Sequence, residues 1–179
     1  MKNTAMVFLF AFACMAAVPD DNLIKNPEFK ISAGKQKPDN WSVGKAEVTT
    51  ANVPEGKTAM KTAVEFKEIS REYYRGSLSQ TIGKLVPGEY ELSLNFRGEL
   101  DAVFVILRDN AGTAKTDFML RSWIPRQKFA PAANAPGWFK FYSKITVGKE
   151  IPDALFIFQG EDKKPSSFEI TGIQLYQVN

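Results

Sequence analysis

The segment "YELSLNFR", Tyr90 to Arg97, alternates strictly. Tyr90, Leu92, Leu94 and Phe96 fall on one parity, and Glu91, Ser93, Asn95 and Arg97 on the other. Neighbouring side chains of an extended chain point to opposite faces, so this pattern demands a strand with one buried and one wet face. A helical period does not fit it. The "VPGE" before it is a turn with a mechanism, because Pro87 presets φ and Gly88 tolerates positive φ. The same grammar runs through the chain. Extended segments are expected at Leu23–Phe29, Ala46–Thr50, Met60–Phe66, Ser77–Ile82, Tyr90–Arg97, Ala102–Arg108, Trp138–Val147, Ala154–Gln159 and Phe168–Gln177. Proline and glycine punctuate them at "VPEG", "VPGE" and "APGW". Many short strands and no convincing helical period predict an all-β protein, a two-sheet antiparallel β-sandwich of jelly-roll type. "AVFVIL" (102–107) and "ALFIF" (154–158) are apolar on both parities, so those strands are central or line something. Residues 109–137 read as the longest irregular stretch, the kind of loop that often carries function.

The first residues, "MKNTAMVFLFAFACMAAVPDDN", have a different character. One lysine precedes an apolar run from Ala5 to Ala17, and Asp20 and Asp21 follow. The run is too short to span a bilayer as a helix and reads as a secretory signal peptide, residues 1–17. The mature domain is then 22–179. Cys14, preceded by "AFA", offers the alternative of a lipidated cysteine. Either way the chain is expected to be secreted or held at the cell surface, with no membrane span in its mature part.

Composition narrows the chemistry. The net charge is +3, and losing Lys2 with the leader brings it to +2. The lysines are scattered, so nucleic acid is not an expected partner. There is no histidine, and the single cysteine lies in the leader. Serine–histidine and cysteine–histidine nucleophiles, His/Cys zinc sites and internal disulfides are therefore all excluded within the chain. Glycoside hydrolysis needs two carboxyls facing one bond. Glu91, Glu99, Asp101 and Glu169 are available, but no spacing pairs them. The chain is expected not to be an enzyme.

The order of the pieces is itself informative. "NLIKNPEF" opens the domain and Trp41 follows; then come "GSLSQTIGKLVPGEYELSLNFRG", "GWFKF" and a closing "FEITGIQLY". This resembles the jelly-roll carbohydrate-binding modules of families four, nine and twenty-two, within the galactose-binding-like sandwiches. The resemblance covers about the whole mature chain. It implies a sandwich that binds poly- or oligosaccharide in a groove or at its loops without chemistry. Relatives that hold a structural calcium often carry acids where this chain has Lys30 and Thr171. A hard cation wants several oxygen ligands, so no metal and no cofactor are expected.

A sugar-binding site needs flat aromatics and planar polar partners. The candidates are Tyr73 and Tyr74 in "REYYRGSLSQ", Arg97 at the end of the alternating strand, Arg121 and Trp123 in "LRSWIPR", and Phe156. Parity with Leu78 and Ile82 sends Tyr74 inward and Tyr73 outward, beside Arg71 and Arg75. Gln80 falls on the inner parity and is expected to be a buried, hydrogen-bonded residue. The resemblance implies that Trp41 and Trp138 pack. If Leu155 and Ile157 fill the core, Phe156 and Phe158 face the groove. The competing reading is a secreted or surface structural sandwich that binds a protein partner and no sugar.

Overall fold

A computed structural model describes residues 22–44, 46–50, 53–54, 58–62, 67–70, 73–112 and 117–178. For Thr62, residues 67–70 and Tyr73 the backbone alone is described. Among the described residues twelve strands form two six-stranded sheets. The first sheet contains β1 (Ser42–Val43), β4 (Lys67–Ser70), β5 (Tyr73–Leu85), β7 (Ala102–Asp109), β8 (Phe118–Pro125) and β11 (Ile151–Asp162). Its order is β1-β5-β11-β7-β8, with β4 also paired to β5. The second contains β2 (Glu47–Thr49), β3 (Ala59–Thr62), β6 (Gly88–Gly98), β9 (Ala130–Pro131), β10 (Phe139–Val147) and β12 (Phe168–Val178), in the order β2-β3-β12-β6-β10-β9. Adjacent strands are antiparallel throughout. The all-β sandwich expected from the alternation is the fold.

The inner faces meet in one apolar core. From β6 it takes Tyr90, Leu92, Leu94 and Phe96, each at most 1% exposed. The turn ahead of β6 is tied by Tyr90, whose hydroxyl donates to the Val86 carbonyl at 2.8 Å and accepts from the Val86 N–H at 3.2 Å. Gly88 there has φ +155°, a conformation that favours glycine. Gln80 is buried and clamps Lys25. The Lys25 N–H donates to its Oε1, and its Nε2 donates to the Lys25 carbonyl, both at 2.7 Å. Trp41 and Trp138 are buried, as expected.

Three expectations change. Leu23–Phe29 is not a strand. Leu23 bonds once to the Leu175 carbonyl at 2.8 Å, then Asn26 and Phe29 take left-handed φ of 50° and 57°, which breaks extension. The side chain of Asn26 organises that turn instead, donating to the carbonyls of Lys30 and Asp39. The long irregular stretch 109–137 contains β8, with Leu120 and Ile124 packed on the core. Pro125 hid this strand, but β8 lies at a sheet edge, where proline is tolerated. Further on, Phe129 closes the sandwich against Phe96 and Phe139, with ring centroids 5.0 and 5.1 Å away.

The third change is on β11. Phe156 and Phe158 are fully buried, and Leu155 and Ile157 lie on the outer face. Phe156 packs edge-on against Trp41 at 6.2 Å, and Phe158 lies 5.5 Å from Phe96 and 5.0 Å from Phe168. The reason is register. Phe156 lies opposite Gln80 and Leu107, and Phe158 opposite Leu78 and Val105, all inward-facing. The larger rings fill the wider inter-sheet space, and the aliphatic pair is left outside.

Candidate functional site

The outer face of the first sheet is built by register. Ser77 on β5, Gln159 on β11, Phe104 on β7 and Trp123 on β8 stand opposite one another in a single cross-strand row. The next row is Ser79, Ile157, Ile106 and Arg121, with Ser42 of β1 beyond Ser79. On the other side lie Arg75 and Glu161, paired in register. Strands are about 4.8 Å apart, so β5 to β8 spans roughly 14 Å, the length of a short oligosaccharide.

One half of this face is aromatic and the other polar. Trp123 is 57% exposed, the most exposed of the large apolar side chains among the described residues. A tryptophan left in water at that level, on a strand rather than a loop, is not serving the core. Its neighbour Phe104 is half-buried and carries the Arg75 guanidinium over its ring at 5.0 Å. Arg75 also donates to Glu161 Oε2 at 2.7 Å, and that carboxylate is only 14% exposed. The arginine is thus held flat between a ring and a carboxylate, a pre-organised cation. Arg121 is exposed and lies 5.4 Å over Phe118. Toward β1 the face opens into a hollow of about 300 Å³ lined by Lys25, Asn40, Ser42, Ser79 and Thr81. Flat rings with hydroxyls, an amide and guanidinium groups alongside suit a ligand with apolar faces and a hydroxyl rim.

The candidates separate. Trp123 and Arg121 belong to this face. Tyr74 is half-buried and packs against the core, opposite Asp162, as its parity predicts. The Tyr73 side chain lies outside the described residues, as does Arg71. Phe156, expected in the groove, is a core residue because the faces of β11 are reversed from that expectation. Arg97 is on the other sheet, ion-paired to Glu169 of β12, with its guanidinium 4.9 Å over Trp138. Sequence reasoning put Arg75 on the outer parity but missed Phe104, Gln159 and Glu161 as members of the face. The two-sided apolarity of "AVFVIL" was the available signal for Phe104.

The calcium question receives a local answer. The Thr171 hydroxyl donates to the Thr58 carbonyl at 2.7 Å, and Lys30 pairs with Glu28 at 2.9 Å.

The outer face of the second sheet carries a different cluster. Glu91 accepts from Tyr176 at 2.7 Å and from Tyr142, and Lys144 stands 3.7 Å away. The Tyr176 bond, then the Tyr142 bond, hold the Glu91 carboxyl below its usual range. The same bonds raise both tyrosines. A depressed carboxyl contributes stability above its unfolded pKa and loses it as pH falls through the folded one. The raised phenols contribute below their unfolded pKa and lose it as pH rises through the folded one. Melting temperature against pH should therefore fall away on both the acid and the alkaline side. Glu91→Gln should flatten both flanks; unchanged flanks would show that the cluster does not couple to folding.

These features define a class of fold, a two-sheet jelly-roll β-sandwich. Solved structures agree on that level. The module TmCBM61, determined in complex with β-1,4-galactotriose, superposes with a TM-score of 0.58 at 17% identity, covering 88% of this chain and 99% of that one. The CBM22-1 xylan-binding domain of Paenibacillus barcinonensis Xyn10C gives 0.53 at 14% identity over 92% and 99%. A family 4 carbohydrate-binding module gives 0.52 at 13% over 79% and 97%. No family model matches the chain, and no curated protein does. At these identities the likeness is one of fold.

Proposed function

We propose that this protein is a non-catalytic carbohydrate-binding module that lays a poly- or oligosaccharide across the outer face of β5, β11, β7 and β8. The exposed Trp123 carries the reading, because it stands in line with the Arg75-capped Phe104 and with Gln159 and Ser77. The rings stack on sugar C–H faces, and the amide, hydroxyls and guanidinium groups meet the hydroxyl rim. The sugars named for the superposed modules support the ligand class. Against catalysis, the carboxylate set into this face among the described residues is Glu161, and Arg75 holds it. Two carboxyls facing one bond are needed for glycoside hydrolysis.

The site is placed outside the cell, delivered by the leader at residues 1–17 or tethered through Cys14. Among the described residues no helix is long and apolar enough to cross a membrane. The exported product should lack Met1 and Lys2 by mass spectrometry; an intact N-terminus would refute the leader. A glycan array probed with the mature protein tests the binding. Retention of a defined saccharide class is the expected result. Silence across neutral and acidic glycans would overturn the module reading in favour of a surface sandwich that docks a protein.

A further inference from the structure

A second concave site is built mainly on the second sheet. It is a cleft of about 810 Å³ at one end of the sandwich, within the range of small-ligand sites. Its walls come from the end of β6, the start of β10, the β11–β12 loop, β3 and the residue after β8. Four cations line it, Lys61, Arg97, Arg126 and Lys164, against two acids, Glu99 and Glu169. The partners are unevenly shared. Arg97 is neutralised by Glu169 and held flat on Trp138. Lys164 reaches Glu99 at 3.9 Å. Lys61 and Arg126 make no ion pair among the described residues. Its lining residues therefore carry a surplus of two positive charges, with Glu47 of β2 in register beside Lys61.

The walls are set firmly. Gly98 has φ +157°, and a Cβ there would stand 2.8 Å from the Ser167 carbonyl oxygen, so glycine lets the β11–β12 loop close on β6. The Ser166 hydroxyl donates to the Glu99 carbonyl at 3.2 Å and pins the same loop. The Arg126 N–H donates to the Asp101 carbonyl at 2.8 Å, which fixes where its side chain begins. The remaining lining adds serine hydroxyls and the half-buried ring of Phe139. A bare inorganic anion would leave most of this space empty. A hydroxylated ring bearing an acid group would use the cations, the hydroxyls and the ring together.

We propose that this cleft binds an acidic saccharide, with Lys61 and Arg126 receiving its carboxylate or sulfate and Arg97 and Phe139 flanking the sugar ring. The protein then has two separate saccharide sites, a sheet face for stacking and a charged end cleft. A titration of trigalacturonate into isotope-labelled mature protein, followed by amide NMR, tests it. The shifts should centre on Gly98, Glu99, Gly137, Ser166 and Ser167, and weaken as ionic strength rises. A Lys61→Gln/Arg126→Gln double variant should bind about tenfold more weakly or worse, the loss expected when two charge contacts are removed. A sulfated trisaccharide should move the same amides if sulfate is the better group. Trp123→Ala, on the sheet face, should leave this titration unchanged, which separates failure of the cleft from failure of the face. The proposal is overturned if the double variant binds as wild type does, if neutral galactotriose shifts these amides equally, or if inorganic sulfate competes as well as the sugar acid.

Discussion

Trp123→Ala is expected to cost about 2 kcal/mol or more of saccharide binding, roughly a thirtyfold rise in Kd, as removal of a central aromatic anchor does. The ring is mostly exposed, so folding stability should stay within about 0.5 kcal/mol of wild type. Isothermal titration with whichever glycan the array retains, beside a urea melt, measures both. Binding and folding should respond independently because the β8 side chains packed on the core are Met119, Leu120 and Ile124, whereas Trp123 is mostly exposed. Phe104→Ala should weaken binding too, with some loss of stability, since that ring is half-buried under Arg75. If Trp123→Ala unfolds the domain instead, the tryptophan is a structural plug and the platform is lost. If it changes neither quantity, the ligand lies elsewhere.

The second large effect is in the core. Phe156→Ala should destabilise the fold by about 3–5 kcal/mol, the cost of truncating a buried aromatic that neighbours cannot refill. For a domain of this size that is a fall in melting temperature on the order of 10 °C. Trp41 loses its edge-on partner and the centre of β11 loses its inward anchor. Ile157→Ala, one residue along and on the outer face, should cost far less, about 1 kcal/mol. The comparison is sharp because the sequence pattern alone does not say which of the two faces inward. Equal or inverted costs in urea denaturation would mean that β11 pairs in another register.

Much of the architecture was legible for a local reason. Alternation labels the two faces of a strand wherever one face is polar. It assigned Tyr90, Leu92, Leu94 and Phe96 to the core, sent Tyr74 and Gln80 inward, and placed the turn at Pro87 and Gly88. It failed where both parities are apolar. On β11 the pattern offered two equivalent answers, and on β8 a proline and an outward tryptophan disguised the period. Leu23–Phe29 looked extended because its residues suit a strand, whereas Asn26 and Phe29 turn the chain through left-handed conformations.

The site divides along the same line. The sequence by itself determined that this is an all-β sandwich with no histidine and with Cys14 as its single cysteine, because residue period and residue type are local properties. It also pointed to aromatics and arginines as the candidate means of recognition. Only the tertiary structure decided which of them meet. Arg97 and Trp123 were grouped as one site, yet they stand on different sheets. Arg75, Phe104 and Trp123, far apart in sequence, share one face because β5, β11, β7 and β8 are neighbours. Register between strands is a long-range pairing set by how the two inner faces fill their common core, and no single strand encodes it.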